Sequence, residues 1–199
     1  MDVKPVTLKG HSVYLEPISE KHAEGLFAIG QVADDWLYMP RACFQSVEEV
    51  NDWVEEALML QEKGIHFTFV ICDAATSKPV GSTRYLNIRQ RDRGLEIGYT
   101  WMAKHAQRTA ANTEAKLLLL SHAFEQLEML RVELKTDARN TRSQAAIARL
   151  GATREGTFRR HMIVRDGFVR DSVYFSIIDA EWPMVKAGLQ SKLDLLHSS

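Results

Sequence analysis

The chain has 199 residues, 45% hydrophobic and 26% charged, enough apolar material for one compact core and too much for a disordered or collagen-like chain. Its 25 lysines and arginines nearly balance its 26 aspartates and glutamates, which argues against a polyanion binder that works through overall charge. The balance hides an asymmetry. Residues 1–60 carry 4 basic and 11 acidic side chains, whereas residues 131–170 carry 10 basic and 4 acidic ones. Cys43 and Cys72 stand outside any CxxC arrangement and the seven histidines show no HxxxH or HxH spacing, so neither a disulfide framework nor a metal site is expected. A reducing, cytoplasmic setting is. Met1 to Gly10 has no apolar run and Leu117 to Leu120 is far too short to span a bilayer, so neither export nor membrane insertion is expected.

In chain order, Val13 to Glu16 reads as a strand closed by Pro17, and Ala23, Leu26, Phe27 and Gly30 mark one face of a short helix. A loop, Asp34 to Pro40, follows. Ser46 with Glu49 three residues on predicts a capping box, with Val47, Val50, Val54 and Ala57 at helical spacing behind it. Ile65 to Cys72 and Val80 to Ile88 are rich in β-branched and aromatic residues and read as a hairpin, followed by a third strand, Leu95 to Met102. From Thr113 to Leu127 the apolar residues form two stripes, which predicts a helix buried over most of its circumference. Val132 to Thr136 is a strand, Ser143 to Leu150 a helix stopped by Gly151, and Thr153 to His161 with Val169 to Ile178 a terminal hairpin around Asp166-Gly167. Antiparallel hairpins with one strand-helix-strand crossover predict a mixed sheet in a single domain, 1–199, with a ligand near the crossover.

The chemistry concentrates there. Gln107-Arg108-Thr109-Ala110-Ala111-Asn112 places small residues before an apolar helix, whose N-terminal N–H groups and dipole suit a phosphate. Asn140 and Ser143 are short polar residues placed to bind a ligand or to cap the helix that begins there.

These segments resemble the GNAT superfamily of acetyl-CoA-dependent N-acetyltransferases, in particular the branch of ribosomal-protein alanine acetyltransferases. The resemblance runs from Val6-Thr7-Leu8-Lys9-Gly10 to Asp179-Ala180-Glu181-Trp182. In the family's pyrophosphate loop, Q/R-x-x-G-x-G/A, Gln107 matches the first position, Ala110 replaces the first glycine and Asn112 stands at the second small position. The stretch that follows carries the likeness: Glu114-Ala115 and the leucine run, Arg131-Val132-Glu133-Leu134, Asn140 with Ser143, Leu150-Gly151-Ala152, and Glu155-Gly156 with Arg159. The resemblance implies an α+β GNAT fold, a twisted, mostly antiparallel sheet with helices on both faces. Strand Leu95–Met102 would splay from Val132–Thr136 to admit the pantetheine of acetyl-CoA. Backbone of Trp101 and Met102 would pair with it, the segment Gln107, Arg108, Thr109, Ala110, Ala111 and Asn112 would hold the pyrophosphate, and Asn140 would touch the pantetheine arm. A positive φ at Ala110 would cost roughly 1 kcal/mol or more, so its backbone is expected near helical.

Glu96 lies 11 residues before Gln107, the spacing of the general-base glutamate in the histone-acetyltransferase members, and is the candidate base; the competing reading is a solvent-facing strand carboxylate paired with Arg84 or Arg93. Ser143 resembles the serine near the CoA sulfur in the ribosomal-protein branch, so it is a candidate proton donor, or else a plain N-cap. Trp36, Tyr38 and Met39 are candidates for the acceptor pocket or ordinary loop anchors. The acceptor is an amine, a protein N-terminus or a small molecule; a non-catalytic acyl-CoA-binding protein is the alternative from another class. A homodimer is implied by the resemblance alone. Arg159, Arg160, Arg165 and Arg170 lack interleaved aromatics and read as a solvated hairpin edge rather than a nucleic-acid surface. The acidic first segment is expected to border the acceptor and the basic segment the cofactor's phosphates.

Overall fold

The computed structural model describes residues 3–198. Among them, eight strands form one sheet: β1 (Leu8–Lys9), β2 (Val13–Pro17), β3 (Phe67–Asp73), β4 (Pro79–Arg89), β5 (Gly94–Met102), β6 (Arg131–Asp137), β7 (Thr153–Ile163) and β8 (Val169–Ile178). Their order is β1-β2-β3-β4-β5-β6-β8-β7, antiparallel at every step except β5 to β6. That parallel step is bridged by helix α3 (Ala110–Ser121), the expected crossover. The sheet is the mixed, mostly antiparallel one that the hairpin pattern predicts.

Strand alternation sends side chains to two cores. Phe67, Phe69, Ile71, Tyr85, Leu95 and Ile97 meet α3, together with Ile147 of α4 (Thr141–Arg149). Val70, Cys72 and Trp101 meet Leu26 of α1 (Ala23–Ile29) and Val50, Trp53 and Val54 of α2 (Val47–Glu62). Helix α2 starts as its sequence predicts: the Ser46 side chain accepts the Glu49 N–H and the Glu49 carboxylate accepts the Gln45 N–H.

The all-round burial of α3 has a source beyond the sheet. Helix α5 (Trp182–His197), absent from the predicted order, lays Val185, Leu189 and Leu193 into the same core, and Trp182 stacks on Phe124 at 5.2 Å between centroids. Each such aliphatic side chain contributes about 1.5–3 kcal/mol on burial. Its start is fixed by Pro183 in the first turn and by Glu125, whose carboxylate accepts from Trp182 Nε1 and Lys186 Nζ. Glu114 on α3 secures the other end of the sheet by accepting the backbone N–H groups of His11, Ser12 and Val13 at 2.7–2.8 Å.

Candidate active site

Strands β5 and β6 pair only at Gly94, Leu95 and Glu96, opposite Arg131, Val132 and Glu133. Beyond Glu96 they part. A cavity of about 410 Å³ occupies the gap, walled by β5, β6, α3, α4 and the Asp34–Pro40 loop. Between Gly98 and Trp101 the β5 strand holds one residue more than β4 pairs with. Tyr99, at φ 50°, is in this bulge. The extra residue turns Trp101 into the α2 core and Thr100 to the α3 side.

At the mouth, Ala110 is the first helical residue of α3, as expected; the left-handed residue is Arg108, at φ 63°. Thr109 caps the helix by accepting the Ala111 N–H at 3.2 Å. Gln107, Arg108, Thr109, Asn112 and Thr113 line the cavity, whereas the Ala110 and Ala111 side chains do not. Gln107 ties the mouth together: its amide donates to Asp35 Oδ1 at 2.7 Å and to the Met102 carbonyl at 2.9 Å, and its oxygen accepts from Arg142. Trp101 and Met102 also line the cavity while pairing with Ser82 and Gly81 on their β4 side.

On the opposite wall Asn140, not Ser143, is the N-cap of α4, and it accepts the Ser143 N–H at 3.0 Å. Ser143 is the third helical residue and faces the cavity with Asn140 and Arg142.

Glu96 is buried, at 1% exposure, and lines the cavity at the point where the strands diverge. Its carboxylate accepts from Asn87 Nδ2 at 2.7 Å and pairs with Lys135 Nζ at 3.2 Å. The solvent-facing alternative is overturned, and so are its partners: Arg93 pairs with Glu128, and Arg84 is stacked on aromatic rings. The cause is register, which sets Glu96 opposite Leu86 on the sheet face that α1 and α2 cover rather than on an open one. Arg170 departs from the solvated hairpin edge that its neighbours form. Arg159 and Arg160 are exposed, while Arg170 is buried against the cavity with Nε unpartnered. Burial pushes its pKa down against the pull of Asp137 and Glu96.

Tyr38 and Met39 line the cavity. Trp36 is fully buried against Trp101 and Phe44, 4.8 and 5.1 Å between centroids, and borders a smaller neighbouring cavity instead. The expected charge division has counterparts here: Asp34 and Asp35 stand on one wall, Arg142 and Arg149 on the other.

A further lining group escaped the sequence reading. Lys116, on the α3 face of β5, donates to Thr100 Oγ1 at 2.6 Å and Thr83 Oγ1 at 3.3 Å, and its burial lowers its pKa to about 7. A lysine within an otherwise buried helix was its only trace in the sequence. Elsewhere, Glu16, His22 and Cys72 bring ligand atoms within 4.8 Å of one another. They are joined by a 2.9 Å Glu16–His22 contact and by Lys21, and burial raises the Cys72 thiol to about 11. None of the three borders either cavity described here. No helix among the described residues is long and apolar enough to cross a membrane.

The splayed parallel pair, the helix N-terminus at its mouth and the carboxylate at its apex define an acetyltransferase of the GNAT class. Residues 12–153 match the GNAT acetyltransferase domain, and the chain belongs to that family. Among its relatives is "Putative ribosomal N-acetyltransferase YdaF" of Bacillus subtilis (strain 168), 38% identical over 175 residues that cover 84% of this chain and 90% of that one. A crystal structure of a GCN5-related N-acetyltransferase from Brucella melitensis superposes with a TM-score of 0.91 at 29% identity, over 97% of this chain and 87% of that one. Mycobacterium smegmatis RimJ, solved in complex with CoA-disulfide, superposes at 0.80 and 24% identity over 94% and 95%, a likeness of fold.

Proposed function

We propose that the chain is one GNAT domain that transfers the acetyl group of acetyl-CoA to a primary amine by direct attack, with Glu96 as the base. The observation that carries this reading is a buried carboxylate at the last paired position before β5 and β6 separate. A protonated amine gives one proton to Glu96, directly or through water; its nitrogen attacks the thioester carbonyl, the C–N bond forms and the C–S bond breaks. The second amine proton ends on the sulfur, with Ser143 as the relay. Lys135 and Asn87 hold the carboxylate in place. The open edge of β5 takes the pantetheine, with Asn140 beside it, and the first turn of α3 with Arg108, Arg142 and Arg149 takes the phosphates.

The Asp34–Pro40 loop borders the acceptor through Tyr38 and Met39, with Trp36 as the buried support of that wall. The name of the B. subtilis relative supports a ribosomal acceptor, and so a cytoplasmic one; a protein N-terminal amine is the acceptor we favour. Purified protein is to be assayed for CoA release with N-terminal peptides and a panel of small amines, alongside calorimetry with acetyl-CoA. Turnover with at least one amine is expected; no acetyl-CoA binding, or binding without transfer to any amine, overturns the reading.

A further inference from the structure

The smaller cavity, about 230 Å³, lies beside the larger one, and Met39, Pro40, Tyr99 and Trp101 border both. Its inner wall carries Arg84. The residue is only 6% exposed, yet no carboxylate among the described residues lies within ion-pair distance of it, and its Nε has no hydrogen-bond partner. Among the described residues its one polar contact is a 3.4 Å approach to His66 Nδ1. The guanidinium lies over Trp53 and Tyr99, 5.2 and 5.0 Å from their centroids. Stacking of that kind offsets part of the cost of burial but leaves the donors unmet. Burial pushes the Arg84 pKa down; the Tyr99 phenol and Glu56, on the exposed rim, pull the other way, and Arg41 opposes them. Arg170 differs, because Asp137 and Glu96 both act on it.

Register fixes the relation to the candidate base. Arg84 is opposite Gly98 and Leu86 is opposite Glu96, so Arg84 and Glu96 are diagonal neighbours on one sheet face, about 7 Å apart at Cβ. The Glu96 carboxylate reaches over Gly98, opposite Arg84: a Cβ at Gly98 would stand 3.0 Å from Glu96 Oε1 and from Leu86 Cδ2.

We propose that the acceptor bears a carboxylate near its reacting amine, and that this carboxylate enters the smaller cavity to pair with the Arg84 guanidinium while the amine meets Glu96. This rests on the amine acetylation proposed above. A fork of N–H donors between aromatic walls suits a planar carboxylate. Two sources share that chemistry: the α-carboxylate of a free amino acid, and an acidic side chain at a peptide's first residue.

The test compares free amino acids with their carboxamides, and peptides beginning with Asp or Glu with those beginning with Asn or Gln. Wild-type protein, Arg84→Met and Arg84→Lys are used, with thermal unfolding as the check on folding. For wild type, kcat/KM is expected to favour the carboxylate form at least 10-fold in one pair. Arg84→Met should erase that preference chiefly through KM, leaving neutral acceptors and the KM for acetyl-CoA unchanged, and Arg84→Lys should restore part of it. The pair that shows the preference identifies the source. Binding of the same carboxylate compounds to the protein with CoA is measured by calorimetry. Arg84-dependent binding without turnover would fail the amine reading and keep the subsite. Equal use and equal binding of charged and neutral acceptors, or a loss in Arg84→Met that Arg84→Lys shares and that extends to neutral acceptors, would overturn the proposal.

Discussion

The two faces of β5 bury opposite charges under different terms. On the α2 side Glu96 is paired with an ammonium and an amide, so its charge is held at a fixed point beside the cavity. On the α3 side Lys116 has two hydroxyls and no carboxylate, and burial lowers its pKa to about 7. The first arrangement holds a carboxylate in position; the second makes charge expensive. Strand alternation alone would set Thr100, four residues on, on the face of Glu96; the bulge at Tyr99 moves it to the lysine's side. The difference teaches that a buried charge is informative through its partners rather than its burial.

Four experiments break or sharpen that contrast. Glu96→Gln keeps the shape and removes the base, so kcat is expected to fall about 10²- to 10⁴-fold with acetyl-CoA affinity intact in calorimetry. An unchanged kcat would leave the carboxylate as an anchor for Lys135 and Asn87. Lys116→Met is expected to stabilise the protein by about 3 kcal/mol or more at about pH 6 and hardly at all near pH 10.5, measured by urea unfolding at both values. The folded pKa, about 7, lies below the ordinary value of 10.5, so the unfolded chain binds the proton more tightly. The penalty is therefore complete below pH 7 and disappears above the unfolded value. Equal effects at the two pH values would show that the ammonium is not penalised. Gly98→Ala puts a methyl group 3.0 Å from Glu96 Oε1 and Leu86 Cδ2; displacing the carboxylate by a few tenths of an ångström should lower kcat about 10-fold with KM for acetyl-CoA unaltered. Raising salt from about 50 to about 300 mM should lift the KM for acetyl-CoA a few-fold, through Arg108, Arg142 and Arg149, and the acceptor's KM by about 2-fold or less. The reverse order would move the dominant electrostatic wall to the Asp34–Asp35 side.

Most of the framework was legible because it depends on local pattern. The Ser46 capping box, the hairpin strands and the crossover helix fall within a few residues of their predicted places, and the expectation of a helical Ala110 holds. Helix α5 was missed although Val185, Leu189 and Leu193 repeat at a spacing of four, a helical interval that the terminal-hairpin reading left unused. The two-stripe pattern of α3 did announce that something must cover its second side. At the site, Glu96, Gln107, Asn140 and Ser143 were singled out through the family resemblance around the crossover, and all four line the cavity. Arg84, Lys116 and Arg170 were not. Their sequence neighbours do not distinguish a solvated cation from a buried one.

The sequence by itself determined the order of most strands and helices and the position of the crossover, because caps, turns and periodicity act over a few residues, and the family resemblance singled out Glu96 as the candidate base. Only the tertiary structure decided which charges are buried and with whom. Strand register and the bulge at Tyr99 bring Arg84 beside Glu96 and bury Lys116 beneath Thr100, and those neighbours come from segments far apart in the chain.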